Sequence, residues 1–355
     1  MRELLDEWRP RIDEAIEEVL PRTITRDYLH DYFGEPSYQY DEEGIQCALA
    51  EPVWELLDRG GKRWRVVLFI QLLQAFDIED PSAYLPYAVI PEILHNGTII
   101  VDDVEDDATK RRGEPALHLV YGDDVALNAG NALYFIPLKI ITHNPGDLDA
   151  DTRLRAYEML MHELNRTHLG QGMDICWHND EMITASPEEY LEMTACKTGC
   201  LVRIVARLAS ITTEQPVDVE RAVADYAEKV AIAFQISDDI LDIEHTLDEA
   251  GDFGKQFGND IREGKTTLMA IHAATHATAD ERAQLESILH ATSNSEEEIM
   301  DVIRLYERYD SIEFARHQAD MLSAQAREQL DGLDLNPDAK ENLKEFSRFV
   351  IERDH

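Results

Sequence analysis

Two stretches of this chain set carboxylates at Asp-Asp-x-x-Asp spacing: Asp102, Asp103 and Asp106 in IIVDDVEDD, and Asp238, Asp239 and Asp242 in FQISDDILD. On a helix, residues four apart project from one face. Asp102 with Asp106, and Asp238 with Asp242, would then repel by about 0.2–0.5 kcal/mol per exposed pair and by more when buried. A divalent cation removes that cost. An all-oxygen donor set with vacant positions suits Mg2+, which keeps waters and completes its shell from a substrate phosphate. The chain holds 35 Asp in 355 residues, so roughly 0.35 such runs arise by chance and the spacing alone is weak. The setting is stronger: both runs close apolar helices, after Ile99-Ile100-Val101 and after the segment Val230 to Ile236. Read alone, either run could still be a charged helix end in an acidic protein.

The second chemical feature is the placement of scarce lysines. Four of nine fall beside glycine, Lys62 in GGKRWRV, Lys197 in KTGC, Lys255 in FGKQFG and Lys265 in EGKTT, where a phosphate can approach the backbone. Arg63 with Arg65 and Arg111 with Arg112 add bidentate donors. Arg111 and Arg112 follow Asp106 by one to two helical turns, which would set a diphosphate clamp beside the carboxylates. Two other readings fail. Gly258 to Thr266 has five residues between its glycines where a Walker A loop has four, and lacks the preceding strand. Asp102 to Gly113 has the length of an EF-hand loop but neither its Gly nor its Glu. Cys196 and Cys200 are four apart, which suits one face of a helix, and a zinc site would need two more ligands nearby.

These groups must be held by helices. Apolar residues recur at helical spacing over 1–20, 64–76, 84–104, 124–142, 150–176, 188–212, 219–244, 265–277, 280–290, 296–329 and 337–353, and alternating strand patterns are scarce. Ser186-Pro187-Glu188-Glu189 reads as a helix cap, Asn144-Pro145-Gly146 as a turn, Pro21 to Gly44 as a polar connection and Gly251 to Gly264 as a glycine-rich loop. The expected architecture is all-α, a single large antiparallel bundle of ten or more helices spanning residues 1–355 as one domain.

Composition bounds the function. Asp and Glu number 72 against 33 Lys and Arg, giving a formal charge of -39. That excludes most nucleic-acid binders, which need a basic surface. With 44% hydrophobic residues, the chain can bury a large core. Excess carboxylate and few lysines point to a salt-accumulating cytoplasm. Four cysteines without a C-x2-C pair, and an acidic start, point to a reduced intracellular protein. No apolar stretch approaches 18 residues, so no membrane span is expected.

Taken in order, GGKRWR, His95 seven residues before DDVED, RRGEPALH, KTG, FQISDDILD, GKQFGND and EGKTT resemble the trans-isoprenyl diphosphate synthases, with family spacing from about residue 58 to 270. The resemblance implies the isoprenoid synthase fold around a central apolar cavity. It also implies a Mg-dependent head-to-tail condensation of isopentenyl diphosphate with an allylic diphosphate, through an allylic cation and loss of a proton. Matched by position, Asp102, Asp106 and Asp238 are the main Mg2+ ligands, with Asp103, Asp239 and Asp242 as further ligands or their supports. Three Mg2+ per site are implied, with Mn2+ as a substitute. Arg111, Lys197, Thr198, Gln235, Lys255 and Lys265 hold the allylic substrate, and Lys62, Arg65, His95 and Arg112 hold isopentenyl diphosphate. Gln171 and Asp174 match a further cavity position or form an interhelical hydrogen-bond pair.

Chain length is read from Gly97 and Thr98, small where an aromatic would stop growth at C15, and from Tyr134, Phe135 and His168, which match the cavity floor of eukaryotic-type geranylgeranyl synthases. The expected product is C20, with C15 or C25 as alternatives, and ordinary helix packing is the other reading of Tyr134 and Phe135. A class I terpene cyclase fits less well, because its second metal motif normally carries Asn, Ser or Thr and Glu. So does a non-catalytic acidic subunit, which would have lost a motif. The family generally forms dimers or larger homo-oligomers, and a halophilic archaeal source is suggested.

Overall fold

The computed structural model describes residues 2–180, 182–247, 258–291, 293–349 and 351. Lys255 lies outside the described residues. Among them the chain is helical almost throughout. Counting helices of eight residues or more, these are α1 (Arg2–Val19), α2 (Arg26–Phe33), α3 (Glu51–Asp58), α4 (Trp64–Ala75), α5 (Ile90–Glu105), α6 (Asp123–Ala132), α7 (Ala150–His178), α8 (Pro187–Thr194), α9 (Cys200–Thr212), α10 (Val217–Leu247), α11 (Leu268–His276), α12 (Ala279–Leu289), α13 (Glu296–Arg308), α14 (Ser311–Asp331) and α15 (Pro337–Phe349). Two compact units are present. Unit one is Met1–Leu160, Ile204–Val217 and Leu335–Ala339; unit two is Met161–Arg203, Asp218–Asp334 and Lys340–His355.

Unit one is organised on α4, whose sequence WRVVLFIQLLQA is apolar all round. Such a helix belongs in a core, and Val66, Val67, Leu68, Phe69 and Ile70 are wholly buried. Helix α5 packs closely on α6 because two glycines meet there. A Cβ added at Gly97 would lie 2.8 Å from the Gly130 carbonyl, and one at Gly130 would lie 2.8 Å from Val101 Cγ2. Helix α5 stops at Glu105 with Asp106 as its C-cap. The chain then forms a two-stranded hairpin, β1 (Lys110–Arg111) and β2 (Glu114–Pro115). Its central residues Arg112 and Gly113 both have positive φ, 54° and 82°, as a two-residue hairpin turn requires.

In unit two, Ile236, Ile240 and Ile243 on α10 join Leu268 and Ile271 on α11, Ile299 and Tyr306 on α13, and Ala315 and Ala319 on α14 in one buried cluster. The cap at Ser186 forms as expected: its side chain accepts from Glu189 N–H while Glu189 reaches back to Ser186 N–H. The KTG segment lies in a π-turn, Ala195–Gly199, between α8 and α9. Gly170 on α7 permits this, since a Cβ there would sit 2.8 Å from the Cys196 carbonyl carbon.

Several expectations are corrected. Pro21 to Gly44 is not merely a connection but contains α2, capped by Thr25, and α3 follows it. The run 84–104 breaks before Pro91 and the run 124–142 breaks at Leu133 to Pro137, where proline cannot continue a ladder. The run 296–329 is two helices, because Asp310 adopts φ 53°. Arg111 and Arg112 are not on a continuation of α5 but on the hairpin. Residues Asp123–His143 are long and apolar enough to cross a bilayer, contrary to the expected absence of any such stretch. They are interrupted by a 3-10 turn at Ile136–Leu138 and are 56% buried within the protein, as a core segment is.

Candidate active site

In unit one the GGKRWR loop and the RRG hairpin turn meet. Arg112 donates through Nη1 to the carbonyls of Leu56, at 2.8 Å, and Gly60, and through Nη2 to Asn96 Oδ1 at 3.0 Å. Asn96 is fixed in turn by donating to the Glu92 carbonyl at 2.7 Å. Arg63 is buried, with Nε 3.3 Å from Asp13 on α1 and Nη1 3.3 Å from Glu92. The loop can make this turn because Gly60 and Gly61 have φ of 102° and 136°. A Cβ at Gly61 would lie 2.8 Å from Arg63 Nη1, so glycine here serves both conformation and clearance. Arg59 donates to the Pro115 carbonyl at 2.7 Å and ties the hairpin to α3. Sequence reasoning missed Asp13, Arg59, Glu92 and Asn96. They hold the clamp across separations of 16 to 56 residues, and no local pattern marks them.

This cluster carries more positive charge than its acids neutralise. Arg65 is 6% exposed, lies against the Trp64 ring and has no hydrogen-bond partner at Nε. Burial pulls its guanidinium down to about 10, against the support of Glu92 and with further lowering by Arg112. Burial and Arg63 draw Arg112 down to about 10 as well. His95 is held well below the ordinary histidine value by burial and by Arg65, Arg112, Arg111 and Arg63, so it is neutral at pH 7. A desolvated cation cluster of this kind is completed by a polyanion.

The first aspartate run stands beside it. Asp103 is buried and accepts from Arg111, Nε at 2.8 Å with Nη2 closer still. Burial raises its carboxyl and Arg111 opposes that rise. Asp102 and Asp106 are one turn apart at the C-terminal end of α5, where the helix dipole is itself negative. Negative charge gathered there favours a cation.

In unit two the second run is held by residues distant in sequence. Asp239 accepts from Tyr190 Oη at 2.7 Å and from Gln235 Nε2 at 3.0 Å, and Thr198 donates to Gln235 Oε1 at 3.3 Å. Asp242 Oδ2 accepts from the Asp260 N–H at 3.1 Å, and Lys265 pairs with Asp260 at 3.4 Å and with Glu263 at 2.6 Å. Lys197 Nζ lies 2.5 Å from Asp174, so Asp174 pairs with the KTG lysine rather than with Gln171. Burial, then the charge of Asp260, raises Asp239 to about 7. Asp239, Asp242 and Asp260 are three buried carboxyls, each with a hydrogen-bond or ion-pair partner. Asp260 and Tyr190 were not anticipated. Asp260 stands in the GND motif of the glycine-rich loop, and a carboxylate opening a short helix after Gly258 was the available signal. Among the described residues no cluster of three protein ligands is closed around one point.

The three floor residues differ in placement. Tyr134 is 7% exposed in unit one, with its ring against Gly97. Phe135 is 64% exposed, and His168 in unit two is exposed. Gly97 is small because α5 and α6 touch there, so its size is explained by packing before any question of product length. Thr98 donates to the His95 carbonyl at 2.8 Å.

Comparison with known proteins gives a consistent result. A family model described as Polyprenyl synthetase matches residues 46–306. The chain is 30% identical over 353 residues to the short chain isoprenyl diphosphate synthase of Methanothermobacter thermautotrophicus, covering 99% of this chain and 96% of that one. It is 31% identical over 315 residues to the geranylfarnesyl diphosphate synthase of Natronomonas pharaonis, covering 84% and 88%. The solved geranylgeranyl pyrophosphate synthetase of Pyrococcus horikoshii superposes with a TM-score of 0.79 at 26% identity over 99% of both chains.

Proposed function

We infer, since this chain belongs to the polyprenyl synthetase family, that it condenses isopentenyl diphosphate with an allylic diphosphate to give geranylgeranyl diphosphate. The observation that carries the reading is the buried cation cluster of Arg63, Arg65 and Arg112, with a neutral His95 beside it and an unpartnered Arg65 Nε. It asks for an anion of more than one charge. Residues 1–355 act as one catalytic domain, with the motif-bearing core at about 58–270.

Lys62, Arg65, His95 and Arg112 bind isopentenyl diphosphate without a metal, and rigid anchoring of Arg112 on three acceptors orients the diphosphate in advance. Arg111, Lys197, Thr198, Gln235, Lys255 and Lys265 bind the allylic diphosphate. The carboxylates of Asp102, Asp106, Asp238 and Asp242 would hold Mg2+, three ions in all with Mn2+ as a substitute, and Asp103 and Asp239 support them. When bound, Mg2+ supplies charge neutralisation for the departing diphosphate. Within unit one Asp103 holds Arg111, and within unit two Asp174 holds Lys197, so each cation is kept in place in the absence of a diphosphate. The allylic cation that remains needs apolar walls that exclude water.

The protein acts as a homodimer or larger homo-oligomer in the cytoplasm of a halophile; its four unbridged cysteines and its acid excess support that setting. The test is purified protein with Mg2+, labelled isopentenyl diphosphate and farnesyl diphosphate, with chromatography of the products. A C20 product is expected, and no extension at any salt concentration would sink the enzyme reading. In the same assay Tyr134→Ala should lengthen the product, because Tyr134 is the buried member of the floor set; an unchanged C20 product counts against that role.

A further inference from the structure

We propose that Arg59 is a positioning residue for both diphosphate sites: it holds the β1–β2 hairpin against α3, so that Arg111 and Arg112 keep their places when substrate draws on them. The inference rests on the diphosphate-binding reading above and concerns unit one alone. The hairpin is too small to place itself. It has two residues in each strand, Lys110 paired with Pro115 and Arg111 with Glu114, and Pro115 has no N–H to donate. Isolated two-stranded hairpins are marginal in water even when longer. Its position therefore depends on side chains that bond to the surrounding structure. Arg112 reaches the Leu56 carbonyl at 2.8 Å and Asn96 at 3.0 Å, and Arg111 reaches Asp103 at 2.8 Å. Both anchors use the guanidiniums that are proposed to meet diphosphate, and a diphosphate would compete for the same N–H groups.

Arg59 works from the other side. It is the C-cap residue of α3, and its Nη1 donates to the Pro115 carbonyl at 2.7 Å and to the Arg111 carbonyl at 3.4 Å, one on each strand. Its Nη2 lies 3.3 Å from Glu55, one helical turn earlier, and its side chain is 6% exposed, so the fork is restrained by a partner and by packing. These bonds grip the backbone of the hairpin rather than the guanidiniums of Arg111 and Arg112, and they persist when those groups turn to substrate. The arrangement is reciprocal. Arg112 of the hairpin satisfies the Leu56 carbonyl in the last turn of α3, where the helix has no internal donor to offer, and Arg59 at the same helix end satisfies carbonyls of the hairpin. Helix end and hairpin thus form one unit, with Arg111 on its strand and Arg112 at its turn. Because one residue holds the backbone that carries both clamps, its loss should loosen both sites together.

The test is calorimetric titration of the full chain with isopentenyl diphosphate and, separately, with farnesyl diphosphate and Mg2+, so that no turnover is needed. Arg59→Ala should raise both dissociation constants about tenfold, since small misplacements of positioning groups carry costs of this order or larger. Binding stoichiometry should stay at its wild-type value, whereas a general folding defect lowers stoichiometry. Arg59→Lys keeps the charge but not the planar fork, and should raise both constants several-fold in a chain that folds. Both deficits should persist at 1 M KCl, where a Debye length of about 3 Å removes any effect of Arg59 as a distant charge. Wild-type affinities in Arg59→Lys, a change confined to one diphosphate, or a deficit that disappears at 1 M KCl would each overturn the proposal. A wild type that binds both diphosphates but forms no prenyl product would refute the function proposed above, and the same titrations would still decide the role of Arg59; a wild type that binds neither would overturn both.

Discussion

At the scale of single residues, charge is the quantity that separates working groups from solvated ones. Asp102 and Asp238 have the same side chain as 33 other aspartates, but they stand at helix positions where carboxylates crowd. Asp102→Ala and Asp238→Ala should each lower kcat by at least about 10³-fold while the circular dichroism spectrum and melting midpoint hold, because metal charge rather than packing is lost. A variant retaining a tenth of wild-type turnover would show that the replaced carboxylate is dispensable. Glu281 gives the pH-dependent counterpart. It accepts from the Thr278 hydroxyl and from Tyr309 Oη, both at 2.6 Å, and from the Thr278 N–H, and it pairs with Arg308. Those bonds, the Thr278 hydroxyl first, hold its carboxyl at about 2. Its folded value is depressed, so its contribution is full above the unfolded value near 4.5 and is lost as pH falls toward 2. The gap in urea midpoint between wild type and Glu281→Gln should therefore be widest at pH 6–7 and close by about pH 2. A gap independent of pH would assign the effect to the cap's shape rather than its charge.

At the scale of elements, α1 has a role that its sequence did not announce. Residues 1–20 read as an amphipathic helix without a motif, yet Asp13 pairs with Arg63 and Arg9 donates to the Gly61 carbonyl at 3.3 Å. This helix braces the clamp loop. Asp13→Ala should raise KM for isopentenyl diphosphate several-fold and leave KM for the allylic substrate near its wild-type value, since Lys197 and Lys265, the proposed allylic donors, pair with Asp174 and Asp260 instead. Equal changes in both constants would mean that α1 supports the fold in general. The same contrast explains the elements that were misread. Periodicity locates α4, α7 and α10 because each buries a long apolar face. Breaks such as Asp310 depend on one residue taking a left-handed φ, which aspartate tolerates but does not demand. The hairpin carrying Arg111 and Arg112 is two residues per strand, too short for any alternation to register.

At the scale of the whole molecule, a charge of -39 is a constant opposing force on the folded state. The Debye length shrinks from about 10 Å at 0.1 M salt to about 3 Å at 1 M. The melting midpoint should therefore climb by several degrees between 0.1 and 2 M KCl; a flat or falling midpoint would count against adaptation to salt. The all-α class and the helical faces were determined by the sequence alone, as were the side chains proposed to bind diphosphate and metal, because they follow from local period and from residue chemistry. Tertiary structure decided the rest. It placed Arg63 and Arg65 in the interior, supplied Glu92 and Asp13 as partners of Arg63 and Asn96 as a partner of Arg112, set Tyr190 and Asp260 around the second aspartate run, and showed that Gly97 is small to let two helices touch. Each of these depends on contacts between residues far apart along the chain. Desolvation, which shifts a carboxyl or a guanidinium and so creates the demand for an ion, exists only once those contacts have closed.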